Sequence, residues 1–269
     1  MCGAFKTGRQ GEMEMGMGLF GKLFEKKICS ICGGEIGLLG NRKLADGNLC
    51  KKCAQKLSPW FDERRESTVA QIDEQLRDRE RNLEELRGFS SSRGVGEGGR
   101  LMIDEAGGRF VVLEDADDDL LAVNPDLVSL AQVERVELEV EHISHEEKRM
   151  IDGKKQSYEP PRFLHYFDFW EVITTSHPWA KRIRFRLNGP SLPLHAEGIA
   201  RRQPHLDAYH EVKAHIELPP AGLLADLGLN APVELDCRTR QELDECDRCC
   251  EMHALIQSLL DASWADHKN

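Results

Sequence analysis

The chain lacks any apolar run approaching the ~20 residues needed to span a bilayer. Its N-terminus lacks the basic head, long apolar stretch and small-residue cleavage site of a secretory leader, so the expected location is cytoplasmic. Basic residues are in the minority, 36 Lys and Arg against 47 Asp and Glu, a net charge of -11. That deficit counts against a whole-chain binder of nucleic acid or anionic membrane, both of which demand net positive surface. No nucleophile-elbow glycine pattern, phosphate loop or H-E-x-x-H is present, and the many carboxylates track faces expected to be solvated, so the expectation is not an enzyme. What remains is a polar chain of 269 residues, 40% hydrophobic and 31% charged, with a mean hydropathy of -0.48. It is long enough for one large domain or two modest ones.

Cysteine is the abundant exception, with nine in the chain. Cys29, Cys32, Cys50 and Cys53 form C-x2-C, a spacer of 17 residues, then C-x2-C. Cys237, Cys246, Cys249 and Cys250 crowd toward the C-terminus, and Cys2 stands alone. The odd total and the paired x2 spacings argue against a disulfide framework and for a metal in a reducing compartment. A C-x2-C knuckle aims two sulfurs at one ion, and Gly33-Gly34 suits a turn that wants positive φ. Cys50-Lys51-Lys52-Cys53-Ala54-Gln55-Lys56-Leu57 favours a helix, which places the second pair on a first helical turn. Turn formers Gly40-Asn41 and Asp46-Gly47-Asn48 lie in the spacer. Knuckle, hairpin, then helix is a treble-clef order; a zinc ribbon with two knuckles is the alternative. The expected cofactor is one structural Zn2+ held by Cys29, Cys32, Cys50 and Cys53, since four thiolates leave no open position for a substrate water. Lys26, Lys27, Lys51 and Lys52 flank the ligands and offset the site's negative charge. Ile28, Ile31, Ile36, Leu38, Leu39, Leu44 and Leu49 are the apolar residues available for a core, too few to fold without metal.

The rest divides by composition. Residues 1–16 read as a disordered tail, with Met17 an alternative start. Met17–Phe24 resembles an N-myristoylation start, but Lys22 occupies the required Ser/Thr position. Leu19, Phe20, Leu23 and Phe24 share one helical face expected to dock on the cysteine module, because a single turn anchors poorly to a membrane. Residues 17–60 make that module, in a basic island over 25–60 with seven bases to three acids. A connecting amphipathic helix is expected within 61–88. Thr68 and Gln71 form a capping box, and Val69, Ile72, Leu76, Leu83 and Leu86 recur at heptad positions that Arg79 interrupts. Such a helix packs on its own chain or pairs with a second copy as a homodimer. Ser90–Gly99 reads as a flexible linker, 89–100.

From 101 to 262 the period changes to two. Apolar runs Arg109–Leu113 and Leu120–Val123 flank an acidic turn. Val136, Leu138 and Val140 alternate with Glu137, Glu139 and Glu141, and strands are expected at Phe163–Thr175, Ile183–Leu187 and Val212–Leu218. Pro160-Pro161, Gly189-Pro190 and Pro219-Pro220 separate them. A helix at 239–262 closes the domain, before a tail at 263–269. The fold class is α+β: a small four-cysteine zinc module, a connecting helix, and a β-rich antiparallel domain capped by a C-terminal helix. Cys246, Cys249, Cys250 and His253, with Cys237, have the spacing for a second metal site but continue the stripe of Leu243, Ile256 and Leu260, so core packing is the reading adopted. His142 and His145 are read as a solvated strand end.

The stretch Met17–Leu76 carries a resemblance. Gly18–Phe24, Cys29-Ser30-Ile31-Cys32-Gly33-Gly34, Gly40–Leu44, Cys50–Cys53 and Leu57-Ser58-Pro59-Trp60-Phe61 are similar to a bacterial family of uncharacterised proteins. Its members begin with a four-cysteine zinc-binding module of unknown function. The resemblance implies Cys29, Cys32, Cys50 and Cys53 as ligands and implies no activity. Leu127–Leu138 with the last helix resembles bacterial pleckstrin-homology-like domains in architecture. The function expected is a non-enzymatic interaction protein whose β-domain binds protein or lipid, with peripheral lipid contact within that reading. The alternative is a nucleic-acid binder, because the cysteine spacing matches GATA-type fingers and the module is basic. Against it, 62–87 holds nine acids and six bases, where phosphate tracking calls for a cationic tail.

Overall fold

The computed structural model describes residues 27–96, 100–115, 118–197 and 237–266, and of 160, 194–197, 237–240 and 262–266 the backbone. The expected tail at 1–16, the last three residues of the expected tail at 263–269, the face of Leu19–Phe24, the strand at Val212–Leu218, Pro219-Pro220 and Cys2 lie outside the described residues. The chain forms two compact units, one within Met1–Leu57 and Asp62–Leu76, the other within Ser58–Phe61 and Arg77–Asn269.

The first unit is built from short pieces. Strands β1 (Lys27–Ile28) and β2 (Glu35–Ile36) pair antiparallel, as do β3 (Arg42–Lys43) and β4 (Asn48–Leu49). A one-turn helix α1 (Lys51–Ala54) follows. Ile36, Leu44, Leu49 and Leu57 are buried. The expectation that Ile28, Leu38 and Leu39 join this core is overturned: they are 49%, 80% and 91% exposed. The reason is local, since Leu38 and Leu39 occupy the corner of a tight turn closed by Gly40 N–H donating to Gly37 C=O at 2.9 Å.

Helix α2 spans Val69–Leu86. The capping box forms as expected, with Thr68 N–H donating to Gln71 Oε1 at 2.8 Å and Gln71 N–H to Thr68 Oγ1 at 3.3 Å. Asp46 Oδ1 accepts Val69 N–H at 2.7 Å, a second cap supplied from a distance in sequence. Ile72, Gln75, Arg79 and Leu86 are buried on this helix. Arg79, expected as an interruption of the apolar stripe, donates to Asp126 Oδ1 at 2.9 Å and to the Asn124 carbonyl. Ser58 Oγ donates to the other oxygen of Asp126 at 2.6 Å.

The second unit contains two antiparallel sheets. One is ordered β5 (Arg93–Val95), β6 (Leu101–Asp104), β7 (Arg109–Val112), then, after the single-turn helix α3 (Leu120–Val123), β8 (Val128–Ser129). Two expectations are corrected here. Residues 93–95 are not part of a flexible linker, because β5 pairs with β6 from Arg93↔Ile103 to Val95↔Leu101. The Leu120–Val123 run is helical rather than extended, because Asp119 caps it through Leu121 N–H and Asn124 ends it at φ 53°.

The other sheet is organised by two long strands, β9 (Val133–Ile151) and β10 (Lys154–Thr175). They are joined by Asp152-Gly153, both at positive φ (49° and 73°), the requirement of a two-residue type I′ hairpin. On its other edge β10 pairs with β11 (Arg182–Arg186) and β12 (Leu192–Glu197). Pro160-Pro161 does not separate strands. The register slips between Ser157 and Arg162, and prolines, which cannot donate to a ladder, fit that irregularity. Helix α4 (Cys237–Asp266) is longer at both ends than the expected 239–262, and residues 263–266, expected as tail, continue it because the stretch Ala262–Asp266 contains no glycine or proline to stop a helix. Its Leu243, Cys246, Cys249, Ile256 and Leu260 join Phe110, Val140, Phe167, Phe169 and Ile173 in one core. Among the described residues no helix is long and apolar enough to cross a membrane.

Candidate metal centre

Cys29 and Cys32 sit on the turn between β1 and β2. Gly33 adopts φ +68°, Gly33 N–H donates to Cys29 C=O at 2.9 Å, and Cys29 N–H donates to Gly34 C=O at 2.8 Å. These bonds close the knuckle that the C-x2-C-G-G run predicts. Cys50 is the N-cap of α1 and its sulfur accepts Cys53 N–H at 3.4 Å, while Cys29 Sγ accepts Cys50 N–H at 3.3 Å. The two halves are tied by Ser30 N–H donating to Asn48 C=O at 2.8 Å and Asn48 N–H to Ser30 Oγ at 3.1 Å.

All four sulfurs lie within 4.8 Å of one another. Cys32 Sγ and Cys50 Sγ are 3.8 Å apart, which is the ligand–ligand spacing, about 3.8 Å, of a tetrahedron with metal–sulfur bonds of about 2.3 Å. The thiols are electrostatically unequal. Burial works to raise the Cys29 thiol, but N–H groups from Cys32, Cys50 and Ile31 and the Cys32 side chain bring it down to about 6. Cys53 is pushed far up by burial, by the hydrogen bonds of its three sulfur neighbours and by the charge of Cys29. Four thiolates this close repel one another, and a cation at their centre removes that cost. The donor set and spacing therefore fit a metal ion.

Among the described residues no other group of three or more ligand side chains is close enough to share an ion. Cys246 and Cys249 are buried at 0% and 2% exposure, and burial pushes the Cys246 thiol well above its usual range. His253 points elsewhere: its Nδ1 lies 3.0 and 3.2 Å from the two oxygens of Glu171. The side chain of Cys237 is outside the described residues.

Sequence reasoning missed several polar residues. Glu171 is fully buried beneath α4 rather than solvated, and burial raises its carboxyl above the ordinary 4.5 against the opposing hydrogen bond and charge of His253. His142 is not at a solvated strand end, because β9 continues to Ile151. It is buried, 2.8 Å from His165 Nδ1 and stacked on Phe167 at 4.6 Å. His145, one face away, is exposed beside Tyr166. The apolar flanks of His165 and Glu171 in β10 were the available signal, since a polar residue in such a run has to be buried with a partner. The alternation of Glu139 and Glu141 with Arg182, Arg184 and Arg186 was also legible. Glu139 and Glu141 pair with Arg182 and Arg184 at 2.6 to 3.0 Å, Arg186 pairs instead with Asp168 at 2.5 Å, and Arg184 stacks 3.8 Å from the ring centre of Trp170. A cleft whose lining includes Trp60, Arg100, Glu114, Trp170, Arg184 and Arg186 opens beside these pairs.

Residues 27–75 match the family described as Domain of unknown function (DUF4428), a span that contains all four cysteines and ends within α2. No curated protein and no solved structure matches the chain.

Proposed function

We propose that this chain is a non-enzymatic interaction protein whose first unit is folded around one structural Zn2+. The observation that carries this reading is the four-sulfur cluster at tetrahedral spacing. Four thiolates fill zinc's preferred shell and leave no position where water or substrate could be activated. The order of knuckle, strand pair and helix bearing Cys50 and Cys53 supports a treble-clef arrangement over a two-knuckle ribbon. All seven described cysteines are free, which supports a reducing, cytoplasmic setting.

The second unit is the partner-binding surface in this reading. Two packed antiparallel sheets and a long closing helix support the pleckstrin-homology-like likeness. The cleft of Trp60, Arg100, Glu114, Trp170, Arg184 and Arg186 offers a partner two aromatic side chains and the Arg100 guanidinium, Arg184 and Arg186 being paired with Glu139, Glu141 and Asp168.

Metal analysis of the full chain purified without added zinc tests the proposal. About one equivalent of zinc per chain is expected, and Cys50→Ser should lose it. A metal-free chain whose first unit stays folded would overturn the reading.

A further inference from the structure

The first unit has few apolar residues, yet it leaves two of its leucines in solvent. Leu38 and Leu39 are 80% and 91% exposed at the two corner positions of the Gly37–Gly40 turn, positions that chain statistics give to Gly, Asn, Asp, Pro or Ser. The turn is held in place. Gly40 N–H donates to Gly37 C=O at 2.9 Å, and the Arg42 guanidinium donates to the Leu39 carbonyl at 3.3 Å. Among the described residues none covers these two adjacent leucines, and on a fixed tip they form an apolar point that costs solubility.

The surface beside the tip is cationic. Asn41, Arg42, Lys43, Leu44, Ala45, Arg64 and Arg65 line an open hollow of about 650 Å3 that contains no carboxylate. Arg64 donates to the Lys43 carbonyl at 2.9 Å. Arg42, Lys43, Arg64 and Arg65 form no ion pair with any described residue. The crowding is felt: burial, then the charges of Arg42 and Arg65, hold Arg64 below its usual range, with only Glu66 opposing. Of the neighbouring acids, Asp46 is committed to the cap of α2.

We propose that the Gly37–Gly40 turn docks on a membrane rich in anionic phospholipid, Leu38 and Leu39 entering the acyl boundary while Arg42, Lys43, Arg64 and Arg65 meet headgroup phosphates. Stable peripheral binding requires two signals, an apolar insertion and a basic patch, and both are present within this one unit. Each leucine transferred contributes about tenfold or more in affinity, and each base near an anionic surface about fivefold. Nucleic acid is the poorer occupant: residues 27–57 contain no Phe, Trp or Tyr on which bases could stack, and leucines offer phosphates nothing. The net charge of -11 repels an anionic surface from the rest of the chain, and the attraction that brings this tip to the surface comes from its exposed bases, so binding should weaken with salt as that attraction is screened.

The inference rests on a metal-held first unit, so metal content is measured in the same samples. Full-length protein is sedimented with phosphatidylcholine vesicles, with and without added phosphatidylserine, and titrated with single-stranded poly(U) RNA. Binding to the phosphatidylserine vesicles is expected, at least about tenfold above phosphatidylcholine alone. The pair Leu38→Ser and Leu39→Ser should lower it at least about tenfold, and the pair Arg42→Gln and Arg65→Gln at least about fivefold, each with the metal retained. A metal-loaded chain that ignores both vesicles overturns the inference and leaves the zinc reading standing. Vesicle binding by a chain without metal keeps the docking surface and overturns the zinc reading instead. Vesicle binding indifferent to the leucine pair, or RNA binding that depends on the arginines in a chain that ignores vesicles, overturns the lipid surface.

Discussion

Among the described residues the first unit buries Ile36, Leu44, Leu49, Leu57 and Ile72, whereas the second buries four phenylalanines, Phe110, Phe167, Phe169 and Phe185, among some twenty further apolar side chains. Apolar area removed from water scales with those lists at about 25 cal/mol per Å2, so the second unit has a core that sustains itself. The first falls below the size at which burial alone offsets chain entropy. It compensates with a cluster of four sulfurs and with backbone bonds that converge on them. One unit is organised by a point and the other by a layer. That contrast explains why the first can leave Leu38 and Leu39 exposed: its shape is set by sulfur positions and turn bonds more than by apolar contact.

Chelation of the full-length protein gives the largest expected effect and the sharpest test of the contrast. Apparent binding energies for structural zinc are about 10 to 16 kcal/mol, more than a small unit's whole stability. Amides of Cys29, Gly33 and Cys53 should lose hydrogen-exchange protection on metal removal, while Phe167, Phe169 and Ile173 keep theirs. Equal loss in both units would erase the distinction.

The next effect probes the second unit's buried polar anchor. Removing one partner of a buried ion pair costs about 3 to 5 kcal/mol, so Arg79→Ala should lower denaturant stability by that order, and Asp126→Asn by somewhat less because Ser58 still bonds the amide. Metal content should be unchanged in both. A double-mutant cycle with no coupling between the two positions would contradict the geometry.

Glu171 gives the smallest effect, on the order of 1 kcal/mol. Burial raises its folded-state carboxyl above 4.5, with His253 opposing. The folded state therefore holds this proton more tightly than the unfolded chain does. Stability from this group is present at low pH and is lost as pH rises from 4.5 through the folded value. Glu171→Gln should abolish that decline while keeping a hydrogen bond to His253, so the variant gains on the parent as pH rises. Parallel stability–pH curves from 4.5 upward would show that His253 cancels the burial term entirely.

Local rules made much of this legible. The doubled C-x2-C with Gly33-Gly34 marks the knuckle, Thr68 and Gln71 mark the start of α2, and the alternation over 136–141 marks β9. Asp152-Gly153 also carries its hairpin signal in two residues, although Pro160-Pro161 eight positions later argues for a break. The misplaced residues share a cause. His142 depends on His165, which is 23 residues away, Arg79 on Asp126 at 47, and Glu171 on His253 at 82. No window of local sequence contains both members of such a pair.

By itself the sequence determined the four-cysteine cluster, the start of α2 and the alternation over 136–141, because spacing, capping and side-chain period act within one or two turns of chain. Only the tertiary structure decided which leucines are covered, that a charge in an apolar stripe is an anchor rather than a flaw, and that β5 belongs to a sheet rather than a linker. Burial and pairing are properties of neighbours brought together across the chain, and a residue's own identity does not carry them.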